Sequence, residues 1–555
     1  MTVSDILLKV LAAHGVKHLF GIPGDAINDV TEAIRKQDAI QFIGVRHEEA
    51  GAFAASVQAK LSGQLAACMA TSGPGAIHLL NGLYDARQDH APVIAITGQV
   101  ATGFIGTEAH QEVRLERLFA DVAVYSQTVT TEEQIPAVLL EACRAAIAHR
   151  GVAHVSIPTN ISGRSARFDD QRDLRSAVIG QISPISADCD AAVALIEQSK
   201  RIAILAGIGC AGSRDKLIAF AEAVQAPIVR SLRAKEVIDD DHPMCAGGLG
   251  LLGGKPALKA MDGCDLLIMV GTDFPYKEFY PASAKTIQID IEPTRIGRRQ
   301  AVDIGLVGHA GPTLAALTKR VGQRDDGAFL AAIQADMQQW REHRDREEKS
   351  DATPIAPPRL LKAVSDAAPD KTIFIADTGT STAWSARHLR VRPGQRFTLS
   401  GGLASMAIGL PGAIGAQLAY PDHRVIAIVG DGAFSMLMGD LVTAVRYRLP
   451  IILVVLNNAK LGFITLEQEA KGLPDWGTDI TNPDFAALAV ACGAVGFTVT
   501  DPSQLDTTLQ NALDAGGPVV IDVAVDPDAL IMPPKIGLEQ AIKFGMAKVR
   551  EAFGA

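Results

Sequence analysis

Two short segments combine residue types at spacings that can do chemistry. The first is the run IVGDGAFSMLMGDLVTAVRYRLPIILVVLNN, which holds Gly430-Asp431-Gly432 near its start and Asn457-Asn458 at its end. Its apolar residues 425–429 read as a strand, Gly-Asp-Gly as an acidic tight turn, the next stretch as a helix, and the residues before the asparagines as a second strand. If the two strands are parallel neighbours, Asp431 and Asn458 stand at their carboxyl ends, in the crevice where such sheets take ligands. Carboxylate and amide oxygens suit a hard cation such as Mg²⁺, which leans on a ligand's phosphates to complete its octahedron. Gly430 and Gly432 let the backbone approach those phosphates. The plainer alternative is an ordinary βαβ unit whose Gly-Asp-Gly is only a turn. The second segment is Arg46-His47-Glu48-Glu49, directly after a predicted strand and before the small-residue run AGAFAAS. Its carboxylates are either solvated loop charges or acid–base groups.

These residues need a scaffold, and the chain supplies three α/β blocks. The first block (1–165) has strand candidates at 40–45, 65–70, 93–97 and 153–157. The second (187–322) has them at 202–205, 227–229, 266–270 and 286–291, and the third (358–528) contains the Gly-Asp-Gly segment. Strands alternate with helical patterns throughout, which predicts three doubly wound parallel sheets. A polar stretch, GRSARFDDQRDLRS, and a charged helical segment closed by Ala356-Pro357-Pro358 read as linkers. The first helix is expected to start at a Ser4 or Asp5 cap. Residues 529–555 read as a tail helix.

The chain's 555 residues are too many for one core. Its net charge of −10 and lack of a basic run argue against a nucleic-acid partner. Seven scattered cysteines without metal-ligand spacing fit reduced thiols in a cytoplasmic protein. The amino terminus has no signal-peptide pattern, and no apolar run is long enough to span a bilayer. In the tail, Leu538, Ile542, Val549 and Phe553 recur at nearly helical spacing among Lys543, Lys548 and Arg550. Docking on its own protein is the favoured reading, and weak peripheral contact with the inner face of a membrane is the alternative.

The Gly-Asp-Gly to Asn-Asn segment resembles the diphosphate-binding motif of thiamine diphosphate (ThDP) enzymes. The pattern RHEE before a small-residue helix resembles the site of their catalytic glutamate, which assigns Glu48 to the cofactor's pyrimidine ring. There it would promote loss of the thiazolium C2 proton. Glu49 is then a solvated or structural neighbour. By the same resemblance, the turn Thr71-Ser72-Gly73-Pro74-Gly75 carries Gly73 near the cofactor. Gly379, Thr380, Ala404, Ser405, Met406, Gly432, Ala433, Leu461 and Gly462 would also bind it, with Met406 as the apolar wedge that bends it. Asp431, Asn458 and the Lys460 carbonyl would hold Mg²⁺. The resemblance further implies a dimer as the minimum active unit and a homotetramer as the expected assembly.

Within these enzymes the chain resembles the pyruvate oxidase family, and most closely its ubiquinone-dependent pyruvate dehydrogenase branch. The carriers are AGIGCAG, RSLRAKE, GLGLLG, GTDFPYKEFYP and IQIDIEP in the middle block. The resemblance implies FAD bound by Leu249, Gly250, Leu251, Leu252, Thr272, Asp273, Phe274, Pro275, Tyr276 and Asp290. It places Phe463 between the thiamine adduct and the flavin, and it implies active-site roles for Glu467, His110 and Gln111. His110 stands where the compared oxidases have phenylalanine, which opens the question of which 2-oxo acid is used. The chain also stops where quinone-linked relatives continue into a lipid-binding tail. The expected reaction is oxidative decarboxylation of pyruvate to acetate and CO₂, with electrons passed to a quinone or O₂. The alternative is a non-redox carboligase or decarboxylase of the acetolactate synthase type with structural FAD.

Overall fold

The computed structural model describes residues 1–169, 174, 180–529, 531 and 534. Eighteen strands form three six-stranded sheets with helices packed on them. The first sheet comprises β1 (His18–Gly21), β2 (Gln41–Gly44), β3 (Ala66–Ala70), β4 (Val93–Gln99), β5 (Ala123–Thr128) and β6 (Val152–Pro158), in the order β2-β1-β3-β4-β6-β5. The second comprises β7 (Ile202–Ala206), β8 (Ile228–Arg230), β9 (Cys245–Gly248), β10 (Leu266–Val270), β11 (Lys285–Asp290) and β12 (Ile304–Val307), ordered β12-β11-β10-β7-β8-β9. In the third, β13 (Thr372–Ala376), β14 (Arg396–Leu399), β15 (Arg424–Gly430), β16 (Ile451–Asn457), β17 (Val495–Val499) and β18 (Val519–Ala524) run β14-β13-β15-β16-β18-β17. Neighbouring strands are parallel, so the three-sheet α/β reading is borne out.

Strands buried on both faces are the ones that read clearly from sequence. Every residue of β3, β4, β6, β7 and β10 is buried, as continuous apolar runs in covered parallel sheets require. Sequence periodicity does not mark β1, β5, β9, β12 or β14. All but β5 have only four residues, and all but β1 are edge strands, with β5 half-buried along most of its length and β9 ending in two glycines. The first helix (Val3–Ala13) is capped by Thr2 in a capping box with Asp5, not by Ser4 or Asp5. Ser4 is buried instead and donates to the Ser162 carbonyl at 2.9 Å. The expected tail helix lies outside the described residues save 529, 531 and 534. Among the described residues no helix is long and apolar enough to cross a membrane.

The first and third sheets share a continuous apolar core. At its centre the helix Glu48–Ser62 packs on the helix Gly409–Ala419. This explains the small-residue run after Glu48. A Cβ on Gly415 would stand 2.2 Å from the Ala54 carbonyl oxygen, so the two backbones all but touch. Any side chain at 415 would force the helices apart and displace the residues at the amino terminus of the first one. That helix stops where Gly63 adopts φ +69°, a left-handed cap that glycine supplies without strain.

Candidate active site

Glu48 is the first residue of its helix and is 7% exposed, although a carboxylate at a helix start usually faces water. The helix dipole favours its charge there. Gly75 makes the room, since a Cβ at that position would come within 3.0 Å of Glu48 Oε1. The other oxygen, Oε2, lies 2.9 Å from His78 Nδ1, and His78 stacks on His47 with ring centroids 4.4 Å apart. His47 itself caps the helix by accepting the Glu49 N–H. Glu49 is structural rather than solvated. Its carboxylate takes the Asn81 side-chain amide at 2.6 Å, and the same amide reaches Ser405 Oγ at 3.0 Å, tying the first sheet to the third. His78 carries no local motif that would mark it, whereas Asn81 opens the run NGLYDARQDHAPVIAITGQ, which resembles the family pattern.

On the third sheet, β15 and β16 are adjacent, with Gly430 opposite Leu456, so Asp431 and Asn458 do sit at the carboxyl ends of neighbouring strands. Asp431 is 2% exposed and its carboxylate accepts the N–H groups of Gly432 at 2.8 Å and Ala459 at 2.7 Å. Burial still pushes its carboxyl above the ordinary range, a cost that a bound cation relieves. Asn482, which sequence reading missed, donates its amide to Asp431 at 2.8 Å and to Asn457 at 3.0 Å. Its own Oδ1 is buried without a hydrogen-bond partner. Asn458 Oδ1 accepts the Lys460 N–H at 3.2 Å, while Lys460 Nζ pairs with Asp475 at 2.5 Å. The lysine side chain is thus occupied elsewhere, and only its carbonyl is free to face a metal. A Cβ on Gly432 would meet Ile480 and Leu461 at 2.9 and 3.1 Å, with the Met406 methyl at 3.7 Å. These neighbours place Leu461 and Met406 against the Gly-Asp-Gly turn. Gly379, at φ +124°, opens the helix Thr380–His388 with free space beside it. Ala433 is buried in the turn's helix, Asp431–Leu437. Buried acidic and amide oxygens beside open glycine backbone suit Mg²⁺ and a diphosphate.

Thr380, Trp384, Asn458, Gly462 and Phe463 line one cavity, together with Glu469. Glu467 is exposed and does not line it. Gln111, at φ +60°, lies over Gly73, whose Cβ would come 2.9 Å from the Gln111 carbonyl oxygen. The exposed His110 sits in the same loop, which Glu112 organises by accepting the N–H groups of Gly106 at 2.5 Å and Ala109 at 3.1 Å.

In the second sheet the two predicted loops meet. A Cβ on Gly250 (φ +101°) would stand 3.2 Å from the Phe274 ring, with Tyr276 at 3.8 Å. Leu249 and Thr272 are buried, and Leu251 is exposed. Pro275 follows in the same loop, while Asp273 is engaged by Arg298 and Arg299. Leu252 offers its carbonyl to Arg387, near the end of the helix that Gly379 opens, so this helix joins the two regions. Asp290 ends β11, where burial pushes its carboxyl up against the pull of Arg295 and Arg150. Arg150, in a left-handed helix cap at φ +50°, stands with Arg233 and Arg295 around His90. Burial and these three guanidiniums push His90 down to about 3, so it stays neutral, with Arg295 at 3.1 Å. Arg233 is also paired with the buried Asp89 at 3.3 Å, so Arg150 and Arg295 are the cations of this cluster that suit an anionic nucleotide.

Three parallel sheets, with a buried carboxylate at a helix start on the first and Asp431 and Asn458 at neighbouring strand ends on the third, mark the chain as a thiamine diphosphate enzyme. Residues 1–118 match the N-terminal TPP binding domain of thiamine pyrophosphate enzymes, 189–317 the central domain and 377–523 the C-terminal TPP binding domain. A thiamine pyrophosphate-containing protein of Bacillus subtilis (strain 168) is 40% identical over 553 residues, 100% of this chain and 96% of that one. The pyruvate oxidase of Lactiplantibacillus plantarum is 35% identical over 545 residues, 96% of this chain and 90% of its own. The large subunit of acetolactate synthase isozyme 2 of Escherichia coli (strain K12) is 33% identical over 530 residues, 94% and 95% respectively. The chain belongs to the thiamine diphosphate-dependent pyruvate oxidase family.

Proposed function

We propose that the protein carries out ThDP-, Mg²⁺- and FAD-dependent oxidative decarboxylation of pyruvate. Pyruvate, water and a two-electron acceptor give acetate, CO₂ and the reduced acceptor, which is a quinone or O₂. When bound, the thiamine ring supplies the electron sink for decarboxylation and the flavin takes up the electron pair. Glu48 presents its carboxyl from a helix start, with His78 fixing one oxygen. Asp431, Asn458 and the Lys460 carbonyl hold the metal, and Gly379, Thr380, Gly432 and Gly462 accommodate the diphosphate. Ala404, Ser405 and Met406 support the other end of that cofactor. Gln111 and the exposed His110 stand over the Gly73 turn, where an incoming 2-oxo acid would meet them.

The observation that carries the redox reading is the cationic cluster in which Arg295 lies 3.1 Å from His90, with Arg150 and Arg233 also acting on that ring. It suits the charge of a flavin nucleotide, and it brings His90 and Arg150 of the first block to Arg233 and Arg295 of the second, whose 249–252 and 272–276 loops meet. Phe463, which lines a cavity with Thr380 and Asn458, extends this reading to electron transfer. We further propose that the active unit is at least a homodimer. Anaerobic pyruvate should bleach the flavin of the ThDP- and Mg²⁺-loaded protein near its usual absorbance of about 450 nm. Product formed while the flavin stays yellow would favour the acetolactate synthase type of chemistry instead.

A further inference from the structure

Met406 stands on a turn that alanine backbone disfavours. Ala404 and Ala407, on either side, have φ +57° and +73°, in the left-handed region where a Cβ crowds the carbonyl. Such backbone persists only where the surroundings over-determine it. Here the surroundings come from the end of β13. Asp377, 1% exposed, accepts the Gly409 N–H at 2.8 Å with one oxygen, while its other oxygen takes the Thr378 N–H at 2.8 Å. Thr378 Oγ1 donates to the Ser405 carbonyl at 2.8 Å, and the Ser405 N–H donates to Ser400 Oγ at 2.9 Å. The backbone is therefore held on both sides of Met406, whose methyl lies beside Gly432.

Asp377 forms no ion pair among the described residues, although burying a carboxylate without a counter-charge is costly. An N–H on each of its two oxygens explains the choice of residue, because an ionised carboxylate is acceptor-only, whereas an asparagine would turn its NH₂ toward one of them. Burial raises its pKa to about 7.

We propose that Asp377 is a positioning residue whose carboxylate locks the 404–407 turn and so aims Met406 at the thiamine site beside Gly432. The link to turnover rests on the function proposed above, but the lock itself does not.

The test compares the wild type with Asp377→Asn, Met406→Ala and the double variant, as holoenzyme and as cofactor-free protein. In the cofactor-free protein, Asp377→Asn should speed amide hydrogen exchange across 405–409 by at least about 10-fold, the loss of roughly one net hydrogen bond. Unchanged exchange overturns the lock. In the holoenzyme it should lower kcat about 10-fold in the wild type and by less than about 2-fold in Met406→Ala, because coupled residues are not additive. It should also weaken the near-ultraviolet circular dichroism of the bound aminopyrimidine. Equal losses in both backgrounds overturn the role assigned to Met406. Ala407→Gly, which relieves the strain, should restore part of the lost kcat. Should Asp377→Asn fail to fold, Thr378→Val with Ala404→Gly as its rescue reads the same lock, and faster exchange without rescue would count against it. Wild-type protein that binds no thiamine diphosphate by calorimetry would defeat the functional reading, and the exchange result would still decide the lock.

Discussion

The Asn482 side chain donates to the Asp431 carboxylate at 2.8 Å across a sequence separation of 51. The turn that opens the proposed metal site is therefore fixed from a distant loop, and the same amide also holds Asn457. Supporting hydrogen bonds of this kind orient a metal ligand and set its charge. Asn482→Ala should raise the Mg²⁺ concentration needed for half-maximal cofactor binding by about 10-fold or more. A Mg²⁺ titration at saturating thiamine diphosphate measures it, and an unchanged midpoint would show that Asp431 is held well enough by the backbone alone.

Glu48→Gln keeps the size of the side chain but removes its ability to take up charge. Turnover should fall by about 10² to 10⁴, while cofactor binding persists because the diphosphate end is held by the third sheet. Steady-state rates combined with calorimetric binding separate the two effects. Undiminished turnover would remove Glu48 from the mechanism.

A buried ionic knot makes acid stability predictable. Asp89 takes Lys60 at 2.6 Å and Arg233 at 3.3 Å, and the Gly401 and Gly402 N–H groups at 3.0 and 2.8 Å. Burial alone would raise its pKa, but Arg233 and Lys60 outweigh it and hold the carboxyl at about 2, below its ordinary 3.8. A depressed carboxylate stabilises the fold fully above the unfolded value and loses that contribution as pH falls through the folded one. Asp89→Asn should therefore lower the Tm at pH 7, with the gap to wild type closing between pH of about 4 and about 2. A Tm gap independent of pH would show that packing, not charge, accounts for the loss.

Arg150 tests the proposed flavin site from outside the second sheet. Arg150→Gln should weaken FAD binding by about 10-fold, the worth of one charge-assisted hydrogen bond, and more visibly at low salt. Flavin content after dialysis and fluorescence titration of free FAD report it. Wild-type affinity in the variant would point to a different orientation of the nucleotide.

The sequence by itself determined the parts that depend on local pattern. Apolar runs with glycine turns at their ends specify buried parallel strands, and Gly-Asp-Gly followed by Asn-Asn places a carboxylate and an amide at two adjacent strand ends. The small-residue run after Glu48 implies a helix that another backbone approaches closely, as Gly415 does. Only the tertiary structure decided what meets those residues. Asn482, His78, Asp377 and Arg150 have ordinary sequence surroundings and become informative when chain folding brings them beside Asp431, Glu48, the Met406 turn and Asp290. In the helix Gly462–Ala470 the packing turned Glu469 into the cavity wall and left Glu467 in solvent, two residues apart on one short helix. Neighbouring residues encode backbone preference and burial period, whereas partnership between side chains far apart in sequence is set by how whole sheets and helices pack.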